Sequence, residues 1–398
     1  MATNIIEKGK SVFMDTYAQY PIVLANGEGR HVYDTDGNRY LDMVAGIAVN
    51  ILGYKDPGLS ATLGKVVADG LLHCSNLYWN SYAVQAAIRL SRLSGMERVF
   101  FCNSGTEANE AALKLVRKYG SSKKEGKTDI ITMMQSFHGR TYGSMTATGQ
   151  VKYQKAFHPL VPGFTYAAFN DYNAVESLVT ENTCAIFVEP VQGEGGVVPA
   201  QKQFLQQLRK LCDERDILLV FDEVQCGLGR TAHAFAWQAS QVKPDVMTLA
   251  KALGGGVPIG AMVADGKAAK VLVPGDHAAT FGGNLLSAAA ADCILERLEE
   301  GSLLENVKAT SALLRSALTD LQKQYSQIIE IRGVGLMLGV EMTIPVKPLI
   351  EACMAEGMLI ANAGPNVLRF VPPLTITEAE IDEAVGILKS VFSKILRG

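Results

Sequence analysis

Asp222 and Lys251 are the residues from which chemistry could begin. Asp222 closes the apolar run Ile217-Leu218-Leu219-Val220-Phe221. Lys251 stands in Thr248-Leu249-Ala250-Lys251-Ala252-Leu253, just ahead of Gly254-Gly255-Gly256. A carboxylate at the end of a buried strand can hold a pyridinium nitrogen protonated, and an amine on a glycine-rich turn can form a Schiff base with an aldehyde on the same ring. Each residue also has a plainer reading, Asp222 as a helix cap and Lys251 as a solvated surface charge.

A second candidate is Cys102-Asn103-Ser104-Gly105-Thr106-Glu107-Ala108-Asn109-Glu110. The pattern predicts a strand, a glycine turn and a helix start, where free backbone N–H groups and the positive dipole end favour a phosphate. The same residues also suit an ordinary N-cap with Glu107 in the first turn. Other phosphate signatures fail. The glycines from Gly333 to Gly339 have the wrong spacing, and Gly266-Lys267 is followed by Ala268. With no H-E-x-x-H helix and no G-x-S-x-G elbow, zinc hydrolysis and serine-elbow hydrolysis lose their support, and no metal is expected.

The elements that must position these residues read as α/β. Arg98-Val99-Phe100-Phe101, Ile130-Ile131-Thr132-Met133, Ala185 to Glu189 and Ile217 to Phe221 are continuous apolar runs of the kind found in parallel strands buried on both faces. Between them Thr106 to Lys118 and Gln203 to Arg215 have helical character, the latter with Phe204, Leu205, Leu208 and Leu211 on one stripe. Arg30 to Asp42 reads as a hairpin about Asp36-Gly37. After residue 290 come a long helical stretch, strands around Gly335 to Val340 and a terminal helix from Glu378. A chain of 398 residues exceeds one ordinary core, so the expectation is an N-terminal segment 1–55 joining a C-terminal small domain 286–398, with a large domain 56–285 between.

A net charge of −3 gives no cationic field for nucleic acid or anionic membrane, and no apolar run approaches a membrane span. The first ten residues lack a secretory apolar core, so a cytoplasmic location is expected. The seven cysteines contain no C-x-x-C pair and read as reduced; Cys226 reads as an apolar filler.

Several motifs in order resemble one family. Asp222-Glu223-Val224-Gln225-Cys226-Gly227-Leu228-Gly229-Arg230, Pro244 to Lys251 and Gly254 to Gly260 resemble the fold-type I, class-III pyridoxal-phosphate (PLP) aminotransferases. Within that class, Phe137-His138-Gly139-Arg140-Thr141, Glu189-Pro190-Val191-Gln192-Gly193-Glu194-Gly195-Gly196 and Leu368 to Leu374 are most similar to the acetylornithine aminotransferases. The implied fold is a large domain with a mainly parallel central sheet plus a smaller α+β domain built from both chain ends.

The resemblance implies roles residue by residue. Lys251 holds the cofactor and later moves the proton, tasks that need an uncharged amine. Asp222 pairs with the ring nitrogen, Gln225 bonds the phenolic oxygen, Phe137 stacks on the ring, and Ser104, Gly105 and Thr106 hold the phosphate. Thr280 reaches the phosphate of a neighbouring subunit, which implies a homodimer with the cofactor site at its interface. Ala279 and Leu285 depart from the family pattern there. Arg140 binds the α-carboxylate of the amino donor and Arg369 that of 2-oxoglutarate, while Glu194 pairs Arg369 until the keto acid arrives. Tyr17 is placed near the distal end of the donor. His138 reads either as orienting Phe137 or as a satisfied structural histidine.

The implied reaction moves the δ-amino group of N-acetylornithine to 2-oxoglutarate in arginine biosynthesis. Succinylornithine, ornithine and N-succinyl-diaminopimelate remain alternative donors, because recognition of the acyl group lies in loops with no readable code. A glutamate-semialdehyde-type aminomutase shares the lysine, but Arg140 argues against it. A catalytically silent scaffold would have no use for Asp222, Gln225 and Lys251 together.

Overall fold

A computed structural model describes residues 2–396. Seven strands form the central sheet in the order Arg98–Cys102, Gly260–Ala264, Val246–Leu249, Leu218–Asp222, Thr183–Val188, Asp129–Met133 and Phe164–Ala167. Only Gly260–Ala264 runs antiparallel to its neighbours. The continuous apolar runs thus mark strands buried on both faces, as their composition requires. Along Leu218–Asp222, Leu218 and Val220 enter one core with Ala112 and Val116. Leu219 and Phe221 enter another with Phe204 and Leu208 of the helix Lys202–Glu214.

The chain ends pack together. His31–Asp34 pairs with Arg39–Asp42 across the Asp-Gly turn, and Leu41 aligns in parallel with Met358. A second four-stranded sheet, led by Ile328–Val334 and Met337–Met342, carries Val367–Phe370 and hence Arg369. Helices Ser302–Gln322 and Glu378–Leu396 cover this region. One continuous core joins Leu41 and Phe370, through Ile294 of the helix Leu285–Glu299, to Met247 and Val263 of the central sheet.

This arrangement brings the chemical residues to one edge. Asp222 is the last residue of its strand, Lys251 lies two beyond Leu249, and Ser104 and Glu189 follow the strands ending at Cys102 and Val188. The carboxyl ends of parallel strands in an open α/β sheet are where such folds form their crevice.

Candidate active site

Ser104 caps the helix Gly105–Lys123, its Oγ accepting from the Glu107 N–H at 3.3 Å, while the Glu107 carboxylate accepts from the Asn103 N–H. The plainer reading of this motif therefore holds, as an ordinary serine N-cap with Glu107 in the first turn. It does not exclude the other, because the early N–H groups of this helix still border a cavity of about 460 Å³. Gly105 keeps that approach open: a Cβ there would lie 2.8 Å from Val224 Cγ1. Gly139, at φ 136°, passes so close that a Cβ would sit 2.2 Å from Thr106 Oγ1. Thr106 Oγ1 is in turn 2.9 Å from Thr141 Oγ1.

Asp222 forms part of the cavity wall and is almost fully buried. Its Oδ2 accepts from Asn109 Nδ2 and lies beside His138 Nδ1, both at 2.8 Å, and its Oδ1 accepts from the Val224 N–H at 3.0 Å. Asn109 is itself fixed: Thr248 Oγ1 donates to its Oδ1 at 2.7 Å, and its amide also donates to the His138 carbonyl. A buried carboxylate with this many donors is locked in orientation. His138 thus orients Asp222, and of its two readings the one in which it orients Phe137 gives way. The Phe137 N–H goes instead to Glu189 Oε2 at 3.0 Å, and the His138 ring packs edge-on against Phe187.

Lys251 opens the short 3-10 turn Lys251–Gly254 at φ 43°, a left-handed conformation that costs a non-glycine residue about 1–2 kcal/mol. Burial pushes its amine below the ordinary value, with Glu194 the largest influence pulling it back. A depressed amine is what covalent and general-base work requires.

Arg369 is buried, and its Nη1 donates to Glu194 Oε1 at 2.5 Å and to Gln225 Oε1 at 3.2 Å. Burial alone would raise the Glu194 carboxyl; Arg369 and then Lys251 override it and hold it below its usual range. Gln225 Nε2 completes the triangle at 3.4 Å from Glu194. Glu194 also borders a second cavity of about 1110 Å³ that reaches Arg369 and Tyr153. Glu189 is pushed well up by burial and by the Asp222 charge. Arg140 and Phe137 line the smaller cavity, and no ion pair of Arg140 is present among the described residues.

Two predicted site residues are not brought here. Thr280 is exposed and lines neither cavity of its own chain. Tyr17, 75% exposed, lies outside both, whereas Tyr20 borders the larger one. Asn109, Thr248 and Glu189 were missed as contributors. The signal for Asn109 was present, since it is a polar residue on the apolar helix stripe of Ala108, Ala112 and Val116. No group of three or more His, Cys, Asp or Glu among the described residues is placed to hold a metal.

Comparison with known proteins agrees with this geometry. The sequence matches the family described as Aminotransferase class-III over residues 12–392. It is 50% identical to the acetylornithine aminotransferase of Caldanaerobacter subterraneus subsp. tengcongensis, over 97% of this chain and 98% of that one. The crystal structure of N-acetylornithine aminotransferase from Stenotrophomonas maltophilia K279a superposes with a TM-score of 0.85 at 38% identity, covering 98% of this chain and 99% of that one. An ornithine aminotransferase structure from Toxoplasma gondii, with PLP at partial occupancy in its active site, gives 0.95 at 32%, covering 99% and 95%. With a lysine, a locked aspartate and a helix N-terminus around one cavity, and a family match across nearly the whole chain, this protein belongs to the class-III aminotransferases.

Proposed function

We propose that the protein transfers the δ-amino group of N-acetylornithine to 2-oxoglutarate, giving N-acetylglutamate 5-semialdehyde and glutamate, with PLP in the smaller cavity. The donor set fits that cofactor: helix N–H groups at Gly105 and Thr106 for the phosphate, Asp222 for the ring nitrogen, and a depressed amine at Lys251 for the aldehyde. Bound PLP supplies the aldehyde that captures amines and the ring that takes up electrons. Lys251 Nζ is the base for the proton on the carbon bearing the donor's amine. Phe137 would cover the ring, and Gln225 would supply the donor for the phenolic oxygen, its amide turning from Glu194.

One observation carries the substrate reading: the two arginines are in opposite states. Arg369 is closed by Glu194, while Arg140 has no ion pair among the described residues. A donor whose reacting carbon lacks a carboxylate leaves Arg369 closed and places its distant α-carboxylate on Arg140. A keto acid with a carboxylate beside its reacting carbon takes Arg369 from Glu194. An arginine fork suits a planar carboxylate in each case.

The working unit in this reading is a cytoplasmic homodimer serving arginine biosynthesis. Leu77, Tyr78, Trp79 and Phe281 form an exposed apolar surface beside Thr280, tied together by Asn76 Nδ2 donating to the Ala279 carbonyl at 2.7 Å. Covering that surface with a second copy would carry Thr280 to the neighbouring site. The unpaired cysteines suit a reducing compartment. The division into 1–55, 56–285 and 286–398 belongs to the same reading, supported by the pairing of Leu41 with Met358.

The test compares kcat/KM for N-acetylornithine, N-succinylornithine, ornithine and N-succinyl-diaminopimelate with 2-oxoglutarate as acceptor. N-acetylornithine should lead. A higher value for another donor replaces the acyl assignment, and turnover without a keto acid points to an aminomutase.

A further inference from the structure

With no carboxylate partner among the described residues, Arg140 depends on something else to aim its guanidinium. Its Cζ lies 4.1 Å from the centroid of the Tyr153 ring and 5.7 Å from that of Phe137. The two rings meet edge-on, 5.7 Å apart at 76°. A guanidinium resting on an aromatic face is held by the ring quadrupole, and all its N–H edges stay free for an anion. Tyr153 borders the larger cavity and Arg140 the smaller one, so the pair stands where the two spaces adjoin.

The platform is itself anchored. Tyr153 sits in the short helix Val151–Gln154, and its neighbour Gln154 is buried. Gln154 Nε2 donates to the carbonyls of Met145, Thr146 and Thr148 at 3.2, 3.1 and 2.8 Å. The segment is thereby fastened to the chain that follows Arg140. No hydrogen bond of the Tyr153 hydroxyl is present among the described residues, so the ring face rather than the hydroxyl is the functional part.

We propose that Tyr153 is the positioning residue for Arg140, its ring face setting the guanidinium for the donor's remote carboxylate and so favouring carboxylate-bearing ω-amines over plain alkylamines. This rests on the reading that Arg140 binds that carboxylate. If the ring were only packing, leucine would serve nearly as well and the effect would not depend on the donor's charge.

The experiment uses PLP-loaded Tyr153→Leu and Tyr153→Phe proteins. Steady-state kinetics with N-acetylornithine and with n-pentylamine, at saturating 2-oxoglutarate, are paired with calorimetric binding of N-acetyl-L-norvaline, the donor without its reacting amine. Tyr153→Leu should raise KM for N-acetylornithine and Kd for N-acetyl-L-norvaline by about 5- to 20-fold, a cation–π contribution partly shielded from water, with kcat and n-pentylamine turnover unchanged. Tyr153→Phe should match the parent protein. The inference is overturned if Tyr153→Leu leaves both constants unchanged, if it slows n-pentylamine equally, or if Tyr153→Phe fails as leucine does. Should the parent protein prefer another carboxylate-bearing ω-amine, the N-acetylornithine reading falls, and the same variants are scored on that donor.

Discussion

Replacing Glu194 by glutamine tests the arginine switch directly. In the parent protein Arg369 is 2% exposed, and Glu194 is the only carboxylate paired with it among the described residues. Breaking a buried pair by removing one partner costs about 3–5 kcal/mol; Glu194 keeps a side-chain exposure of 26%, and Gln225 still accepts from the guanidinium, so about 2 kcal/mol is the working figure here. That cost falls equally on the free enzyme and on its complex with N-acetylornithine, because this donor brings no carboxylate to Arg369. The donor's kcat/KM should therefore change little. Glutamate and 2-oxoglutarate bring the missing carboxylate, and in the variant they no longer have to displace Glu194. Single-turnover kcat/KM for glutamate relative to N-acetylornithine should rise about 30-fold, the ratio that corresponds to 2 kcal/mol. Urea unfolding should show the variant less stable by a similar amount. A ratio that stays constant or falls would refute the switch, whatever happens to stability.

Three further outcomes follow from the same geometry. Lys251→Ala should bind PLP without covalent attachment, abolishing both turnover and the fixation of the cofactor to the protein by borohydride reduction; residual fixation would mean that another amine does the work. Thr248→Val removes the donor that orients Asn109, leaving a buried acceptor unpaired, so stability should fall by about 1–3 kcal/mol and PLP should dissociate faster. Unchanged urea midpoints and PLP off-rates would show that Asp222 is held without this relay. Burial pushes the Glu223 carboxyl up to about 8 from its ordinary 4.5, so between those values the folded protein keeps a proton that the unfolded chain has lost. Its contribution is fully present below 4.5 and is lost as pH rises to 8, at about 1.4 kcal/mol per pH unit. Urea titrations at half-unit pH steps should show that slope in the parent protein and a flatter curve in Glu223→Gln. Parallel curves would reject the assignment.

Much of the fold was legible because its cues are local. The apolar runs at residues 98, 130, 185 and 217 all became strands of the central sheet, the last three adjacent and the first at its edge, and the helix predicted from Gln203 to Arg215 is Lys202–Glu214. Gly260–Ala264 could not have been assigned its antiparallel place from sequence, since strand direction is set by sheet order and not by composition. His138 shows the same limit: adjacency to Phe137 suggested one partner, and the fold supplied Asp222, 84 residues away.

The sequence by itself determined the kind of chemistry. A lysine before a glycine turn, an aspartate ending an apolar strand and a serine-glycine helix start each have a plainer reading alone; standing in order among motifs that resemble the class-III aminotransferases, they become the residue types the reaction requires. Only the tertiary structure decided how those groups are held and tuned. Asn109 and His138 converge on Asp222, and Tyr153 lies under Arg140. Each of these contacts joins separate elements, and their distances follow from sheet order, register and close packing, which leave no mark in any short stretch of chain.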